Sequence, residues 1–337
     1  MNGDRVRWGV LGCAAIALHK VIPAMQRSAR CDVIAIASRS AARAAEAAGA
    51  LGIPRSYGSY ADLLADPDVE AVYIPLPNHL HAEWTRRAAE AGKHVLCEKP
   101  LAMDATEAAA MVEACRRAGV LLMEAFMYRL HPLWRRAHEL VSSGAIGELE
   151  TIQAFFSYRN VDPANIRNIT DFGGGALMDI GCYPINVARW FFGGEPGRVS
   201  ANVRRDATFG TDVLTSAILD FAGRQATFTC STQIEDDQRV HLVGTAGRLV
   251  VEIPFNIPPD RPTRLLRVAD GNPPVEPDIE VIEIPTADPY GVQGDGFSAA
   301  VRDGTPVPIP PDDAVANMAV IEQILATELS ADPARGR

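Results

Sequence analysis

A carboxylate, a phenol and an amide stand four and three residues apart in GGGALMDIGCYPINVARWFF, residues 173–192: Asp179, Tyr183 and Asn186. Around them Leu177, Ile180, Val187 and Trp190 recur at helical steps, so the segment reads as a helix. Residues four apart on a helix share a face and lie about 6 Å from one another. A phenol beside a carboxylate on an otherwise apolar helix suits proton transfer to or from an oxygen. The ordinary alternative is an Asp179 paired with an arginine and a half-buried Tyr183. Three glycines, Gly173–Gly175, come just before, where a backbone can approach a neighbour closely.

A second candidate comes from composition. Of 32 basic residues only Lys20, Lys93 and Lys99 are lysine. A chain that uses arginine for plain positive charge keeps lysine where a compact ammonium on a flexible stem is needed. Lys20 and Lys93 read as surface positions. Lys99 follows an apolar run in HVLCEKP, and Pro100 holds it extended.

The elements that must position these groups alternate over the first 125 residues. Short apolar runs (VRWGVLG, DVIAIAS, EAVYIPLP, HVLCEKP, VLLMEAF) alternate with helical patterns, of which MDATEAAAMVEACRRAG starts with Asp104 and Glu107 as a capping box. Pro23 marks a kink or a fresh first turn in the first helix. This alternation predicts a parallel sheet with helices on both faces, whose ligands bind beyond the carboxyl ends of the strands. Lys99 stands at one such end. Leu76, Asn78 and His81, in IPLPNHLH, stand at another.

The first strand leads into Gly12-Cys13-Ala14-Ala15-Ile16-Ala17, a variant of the GxGxxG/A dinucleotide turn with alanine at the middle glycine. Gly12, Ala14, Ala15 and Ile16 are therefore expected against a pyrophosphate at the helix N-terminus. The second strand ends in Ser38-Arg39-Ser40, with Arg43 one turn later, where an NAD site usually carries an acid. A guanidinium suits a 2′-phosphate, so NADP(H) is the expected cofactor.

The remaining composition narrows the classes. A net charge of −10 without blocks of like charge argues against nucleic acid and anionic membrane as partners. No stretch is long and apolar enough to span a bilayer, and MNGDRVRWGV lacks a signal-type apolar core. Six cysteines form no CxxC pair and no Cys/His metal spacing, as expected of reduced thiols in the cytoplasm, and no metal is indicated. The second half carries alternating strands such as ELETIQAFFSY and QRVHLVGTAGRLVVEI, proline-rich loops at 258–264 and 271–277, and the closing helix PDDAVANMAVIEQILATEL.

EKP after a strand, PNHLH before it, and GGGALMDIGCYPIN about 75 residues later resemble the glucose–fructose oxidoreductase / inositol dehydrogenase / MocA (Gfo/Idh/MocA) family over nearly the whole chain. The resemblance implies an α/β N-terminal Rossmann dinucleotide-binding domain, here 1–125, and an α+β C-terminal domain with a large open, mostly antiparallel sheet, here 126–337. It implies an active site between the two, and a homo-oligomer, dimer or tetramer, formed through the C-terminal sheet. The family helix reads D-x-G-x-H-x-x-D. Here it becomes Asp179, Gly181, Tyr183 and Asn186, and the tyrosine is similar to the branch of glucose–fructose oxidoreductase, dimeric dihydrodiol dehydrogenase, xylose dehydrogenase and nucleotide-ketosugar reductases.

On this resemblance Lys99, Tyr183 and Asp179 are catalytic. Tyr183 moves a proton on the substrate oxygen. Lys99 lowers the phenol's pKa from its usual value of about 10 and donates to that oxygen. Asp179 orients Lys99 or a substrate hydroxyl. Glu98, Lys99, Ile166, Arg167 and Tyr290 are expected to contact the cofactor, and Arg129, Tyr158, Arg159, Asn165 and Asn186 the substrate. His131 reads as structural. The expected activity is NADP-dependent oxidation of an aldose. The alternatives are reduction of a keto-sugar, nucleotide-linked or not, oxidation of a trans-dihydrodiol, or a non-catalytic NADP sensor; the retained Lys99, Asp179 and Tyr183 argue against the sensor.

Overall fold

The computed structural model describes residues 4–269 and 278–330; the proline-rich stretch 271–277 lies outside them. Strand and helix alternate from the start: β1 (Val6–Leu11), α1 (Ile22–Arg27), β2 (Cys31–Ala37), α2 (Ala41–Leu51), β3 (Arg55–Tyr57), α3 (Tyr60–Leu64), β4 (Ala71–Ile74), α4 (His81–Glu90), β5 (His94–Cys97), α5 (Ala105–Ala118) and β6 (Leu122–Glu124). The strands form one parallel sheet in the order β3-β2-β1-β4-β5-β6. The order reverses at β1/β4, the switch point that opens a ligand crevice in doubly wound folds. The Asp104 carboxylate caps α5 through the Glu107 N–H (2.7 Å), while Glu107 reaches back to the Met103 N–H (2.8 Å).

The chain continues with α6 (Pro132–Ser142), β7 (Leu149–Arg159), α7 (Cys182–Phe192), β8 (Arg198–Arg205), β9 (Asp212–Phe221), β10 (Arg224–Ser231), β11 (Gln233–Gly244), β12 (Gly247–Val251), β13 (Thr263–Ala269) and β14 (Asp278–Ile284). These strands build an eight-stranded sheet, β14-β13-β12-β11-β7-β10-β9-β8, antiparallel except where β10 meets β7. Burial alternates along the strands, as when Leu219, Phe228, Ala154 and Leu242 are covered and their neighbours Ile218, Thr227, Gln153 and His241 are not. One face of the sheet thus packs into the unit's core.

Two helices close the chain, α8 (Pro289–Asp303) and α9 (Pro311–Ser330). The compact units differ from a division at residue 125/126. One comprises 1–130 and 288–315, the other 131–287 and 316–337. The reason is α8, which completes the first core. Ser298 accepts the Trp8 indole N–H (3.1 Å), Phe297 lies 5.3 Å from the Trp8 ring, and Arg302 pairs with Glu70 (2.7 Å).

Two helices start through a widened π-turn, at Ala17–Val21 and at Leu177–Gly181. Pro23 and Pro184 explain both. A proline in a helix cannot donate to the carbonyl four residues back and its ring crowds that carbonyl. Those carbonyls belong to His19 and Ile180, each inside a π-turn, where the extra residue relieves the crowding.

Candidate active site

In the first unit the turn after β1 brings the backbone close to its surroundings. Gly12 has φ +123°, and a Cβ there would stand 3.0 Å from Leu76 Cδ2, so glycine is required on both counts. The Ala14 carbonyl accepts the Leu18 N–H (3.0 Å) and starts the helix, leaving Ala15 exposed and Ile16 half-buried on its first turn. Ser38 at the end of β2 is buried and its Oγ accepts the Ser40 N–H (3.3 Å); Ser40 caps α2 through the Arg43 N–H (3.4 Å). Arg39 is exposed, and Arg43 folds back so that Nη2 donates to the Cys13 carbonyl (2.9 Å). A strand-to-helix turn without a Cβ in the way and two guanidinium groups beside it fit a phosphorylated dinucleotide.

At the rim of β4 and β5, Glu98 and Lys99 are half-buried. The Tyr73 hydroxyl donates to Glu98 Oε1 (2.6 Å), and the Lys99 N–H donates to Glu98 Oε2 (3.3 Å). Burial, and after it the Glu98 charge, push the Tyr73 phenol well up, so it stays a donor. Tyr290 on α8 lies within electrostatic reach of both Glu98 and Lys99: burial and Glu98 raise its pKa, and Lys99 opposes them. Asn78 opens the short turn Asn78–Leu80 and is half-buried.

Two expectations need correction in this unit, and a third residue gains a partner. His81 faces no ligand: it is fully buried, with Nε2 at 2.8 Å from the Leu76 carbonyl and Nδ1 at 3.0 Å from the Pro100 carbonyl. It ties the end of β4 to the turn that follows Lys99. Burial holds its pKa below the usual imidazole value, and the carbonyls oppose that only in part. Lys93 is not at the surface. It is 8% exposed, and its ammonium donates to the carbonyls of Asp66 and Val69 (both 2.8 Å), a task for which a compact head is needed. Arg129, expected against substrate, is engaged by Asp313 (2.8 Å).

In the second unit Asp179 sits within the π-turn and Tyr183 on the first turn of α7. Both Tyr158 Oη (2.6 Å) and Arg167 Nε (2.8 Å) donate to Asp179 Oδ2. The Asp179 carboxylate, foremost among the causes, holds the Arg167 guanidinium more firmly protonated than usual. The Tyr183 ring is packed against Phe156 (5.7 Å) and Phe255 (4.9 Å) and is 6% exposed. Asn186 is fully buried, so the polar stripe narrows to Asp179 and Tyr183, and Asn186 is not a surface for substrate. Asn165 has a local task, accepting the Arg167 N–H (3.0 Å). Ile166 is 40% exposed, and Arg159, also exposed, donates its backbone N–H to Asp236 (3.1 Å). His131 is structural as expected: its Nδ1 caps α6 and Nε2 meets the Ala287 carbonyl.

The glycines before the helix have specific neighbours. A Cβ on Gly174 would lie 2.5 Å from the Arg167 carbonyl, which accepts the Gly175 N–H (2.9 Å). Gly175 has φ +119°, and a Cβ there would run into the Asp212 carboxylate. Asp212 accepts the Leu177 N–H (2.7 Å) and the Thr215 hydroxyl (3.2 Å), capping the helix that carries Asp179 and Tyr183. Burial raises the Asp212 carboxyl. Tyr73 and Asp212 were not singled out in the sequence. Both lie in ordinary strand patterns, and only an acid at the head of a strand hinted at Asp212. Among the described residues no His/Cys/Asp/Glu group could hold a metal ion, and no helix is long and apolar enough to cross a membrane.

Comparison with known proteins matches residues 6–126 to the oxidoreductase family with NAD-binding Rossmann fold, and residues 134–250 to the GFO/IDH/MocA C-terminal domain. The chain is 42% identical to a D-xylose 1-dehydrogenase (NADP(+)) of Haloferax volcanii over 319 residues, 94% of this chain and 95% of that one. It is 34% identical to a dTDP-3,4-didehydro-2,6-dideoxy-alpha-D-glucose 3-reductase of Saccharopolyspora spinosa, covering 96% of each. Among solved structures it is similar to the 3-ketoreductase KijD10 of Actinomadura kijaniata in complex with NADP and TDP-benzene, with TM-score 0.87 and 32% identity over 96% of this chain and 98% of that one.

Proposed function

Because the chain belongs to the Gfo/Idh/MocA oxidoreductase family, we propose that it oxidises an aldose with NADP, as a dehydrogenase of the xylose-dehydrogenase kind. Bound NADP(H) supplies hydride exchange with a carbon bearing an oxygen. Gly12 and Ala14–Ile16 receive the pyrophosphate, and Ser38, Arg39 and Arg43 the 2′-phosphate. Leu76 and Asn78 line the binding groove, and Glu98, Ile166, Arg167 and Tyr290 serve the nicotinamide end. Tyr183 carries the proton that leaves the substrate hydroxyl. Lys99 donates to the same oxygen and favours the phenolate. Asp179, fixed by Tyr158 and Arg167, orients a substrate hydroxyl, and exposed Arg159 is a further substrate contact. Residues 1–125 supply the cofactor-binding part and 126–337 the substrate-binding and oligomerisation part, except α8, which returns to the first.

The identity with the xylose dehydrogenase, higher than with the ketosugar reductase, carries the choice of a free aldose. The second reading, keto-sugar reduction, rests on the fold shared with KijD10. A panel of pentoses, hexoses and nucleotide-linked keto-sugars followed by NADPH absorbance decides between them. An aldose is expected to give the highest kcat/KM in the oxidative direction. Reduction of a keto-sugar with no aldose oxidised would overturn the assignment.

The protein works in the cytoplasm as a homo-oligomer formed through the open sheet face. Ser200, Ile218, Thr227, Gln153, His241, Val250, Leu266 and Val281 form one row across the eight strands, and none is buried. Ile218, Ile279 and Val281 are 46%, 51% and 55% exposed, an apolar content that favours self-association. Sedimentation at micromolar concentration is expected to show a dimer or tetramer. Ile218→Asp with Val281→Asp is expected to yield monomers; a monomeric unmodified protein contradicts this.

A further inference from the structure

The loop after β3 runs beside the end of β2. The Ser38 N–H donates to the Tyr57 carbonyl (3.1 Å), and a Cβ on Gly58 would stand 3.1 Å from Ala41 Cβ. This course delivers Tyr60, the first residue of α3, to the dinucleotide turn. Its hydroxyl lies 4.0 Å from the place a Cβ on Gly12 would take. Its ring is held edge-on against Trp84 (4.8 Å, 82°), and the residue is 8% exposed. The guanidinium groups of Arg39 and of Arg43, anchored on Cys13, are within electrostatic reach of the phenol. Burial keeps the phenol protonated. Among the described residues no carbonyl or carboxylate accepts its proton.

Two cations and a hydroxyl proton converging on one turn form a phosphate-shaped donor set. We propose that Tyr60 donates its hydroxyl to the 2′-phosphate of NADP(H), completing the site of Arg39 and Arg43. The assignment rests on the NADP reading above and adds a neutral donor to it. A hydrogen bond to a charged acceptor makes an affinity difference of about tenfold or more.

Adenosine 2′,5′-bisphosphate and 5′-AMP differ only in the 2′-phosphate, so calorimetric titration with both isolates the contact. The unmodified protein is expected to bind the bisphosphate at least about tenfold tighter, and Arg39→Asp to abolish that preference. Tyr60→Phe keeps the ring on Trp84. It is expected to weaken the bisphosphate by about tenfold and to leave 5′-AMP unchanged. An unchanged bisphosphate affinity, or equal losses for both ligands, would overturn the role of Tyr60 while leaving the NADP reading intact. No preference in the unmodified protein would overturn both.

Discussion

Tyr183→Phe is expected to lower turnover by about two to four powers of ten, the range of general acid–base catalysis. The substitution removes the only titrating atom and keeps the ring, so the contacts with Phe156 and Phe255 survive. The fold and NADPH affinity are therefore expected to hold. The kcat/KM profile is expected to lose the ionisation on its basic side. Pre-steady-state and steady-state kinetics at several pH values check this. A raised KM with unchanged kcat would make Tyr183 a binding residue, and Asp179 would then be the next candidate for the proton.

Lys99→Ala is expected to cost at least about a hundredfold in kcat, through loss of both the donor to the substrate oxygen and the charge that favours a phenolate. The damage should stay local. Glu98 keeps its bond from Tyr73, and the Lys99 backbone N–H still reaches Glu98. NADPH titration of the variant is expected to match the unmodified protein within a few-fold, and near-normal turnover on the best substrate would remove Lys99 from the mechanism. Lys93 offers the contrasting control. Its ammonium closes the Asp66–Val69 turn, so its loss is expected to appear in thermal stability and not in kcat.

The parallel sheet was legible because its signals are local: short apolar runs alternating with helical patterns, of which α2 and α5 carry side-chain caps at Ser40 and Asp104. β3 escaped because three half-exposed residues, Arg55–Tyr57, have no apolar pattern. The return of α8 escaped because nothing in DPYGVQGDGF says that its helix will cover Trp8. In the candidate site, the residue types of Asp179 and Tyr183 drew attention to a helix that does form. The π-turn beneath Asp179 was foreshadowed only by Pro184, three residues beyond the DIG that it re-aims. His81, expected at a ligand, and Lys93, expected at the surface, were misjudged because a polar side chain near a strand end gives no sign in the sequence that it satisfies buried carbonyls. The glycines at 173–175 did announce close approach, and the partners turned out to be the Arg167 carbonyl and Asp212.

The divided first unit has a consequence for how the protein is made. Translation releases β1 long before α8, and the Trp8 indole waits 290 residues for Ser298. Until then the surface that Phe297 and Ser298 will cover is open, as are the Arg30 N–H awaiting Asp295 and the Glu70 carboxylate awaiting Arg302. Contacts of such sequence separation form late and slowly, and an intermediate with bare apolar surface is prone to aggregate. The second unit is divided as well: residues 131–287 emerge together, and its later piece arrives on α9, where Asn317 donates to the Cys182 carbonyl (3.2 Å). A nascent chain stopped before residue 288 holds every described strand of both sheets yet lacks the helix that seals the earlier one.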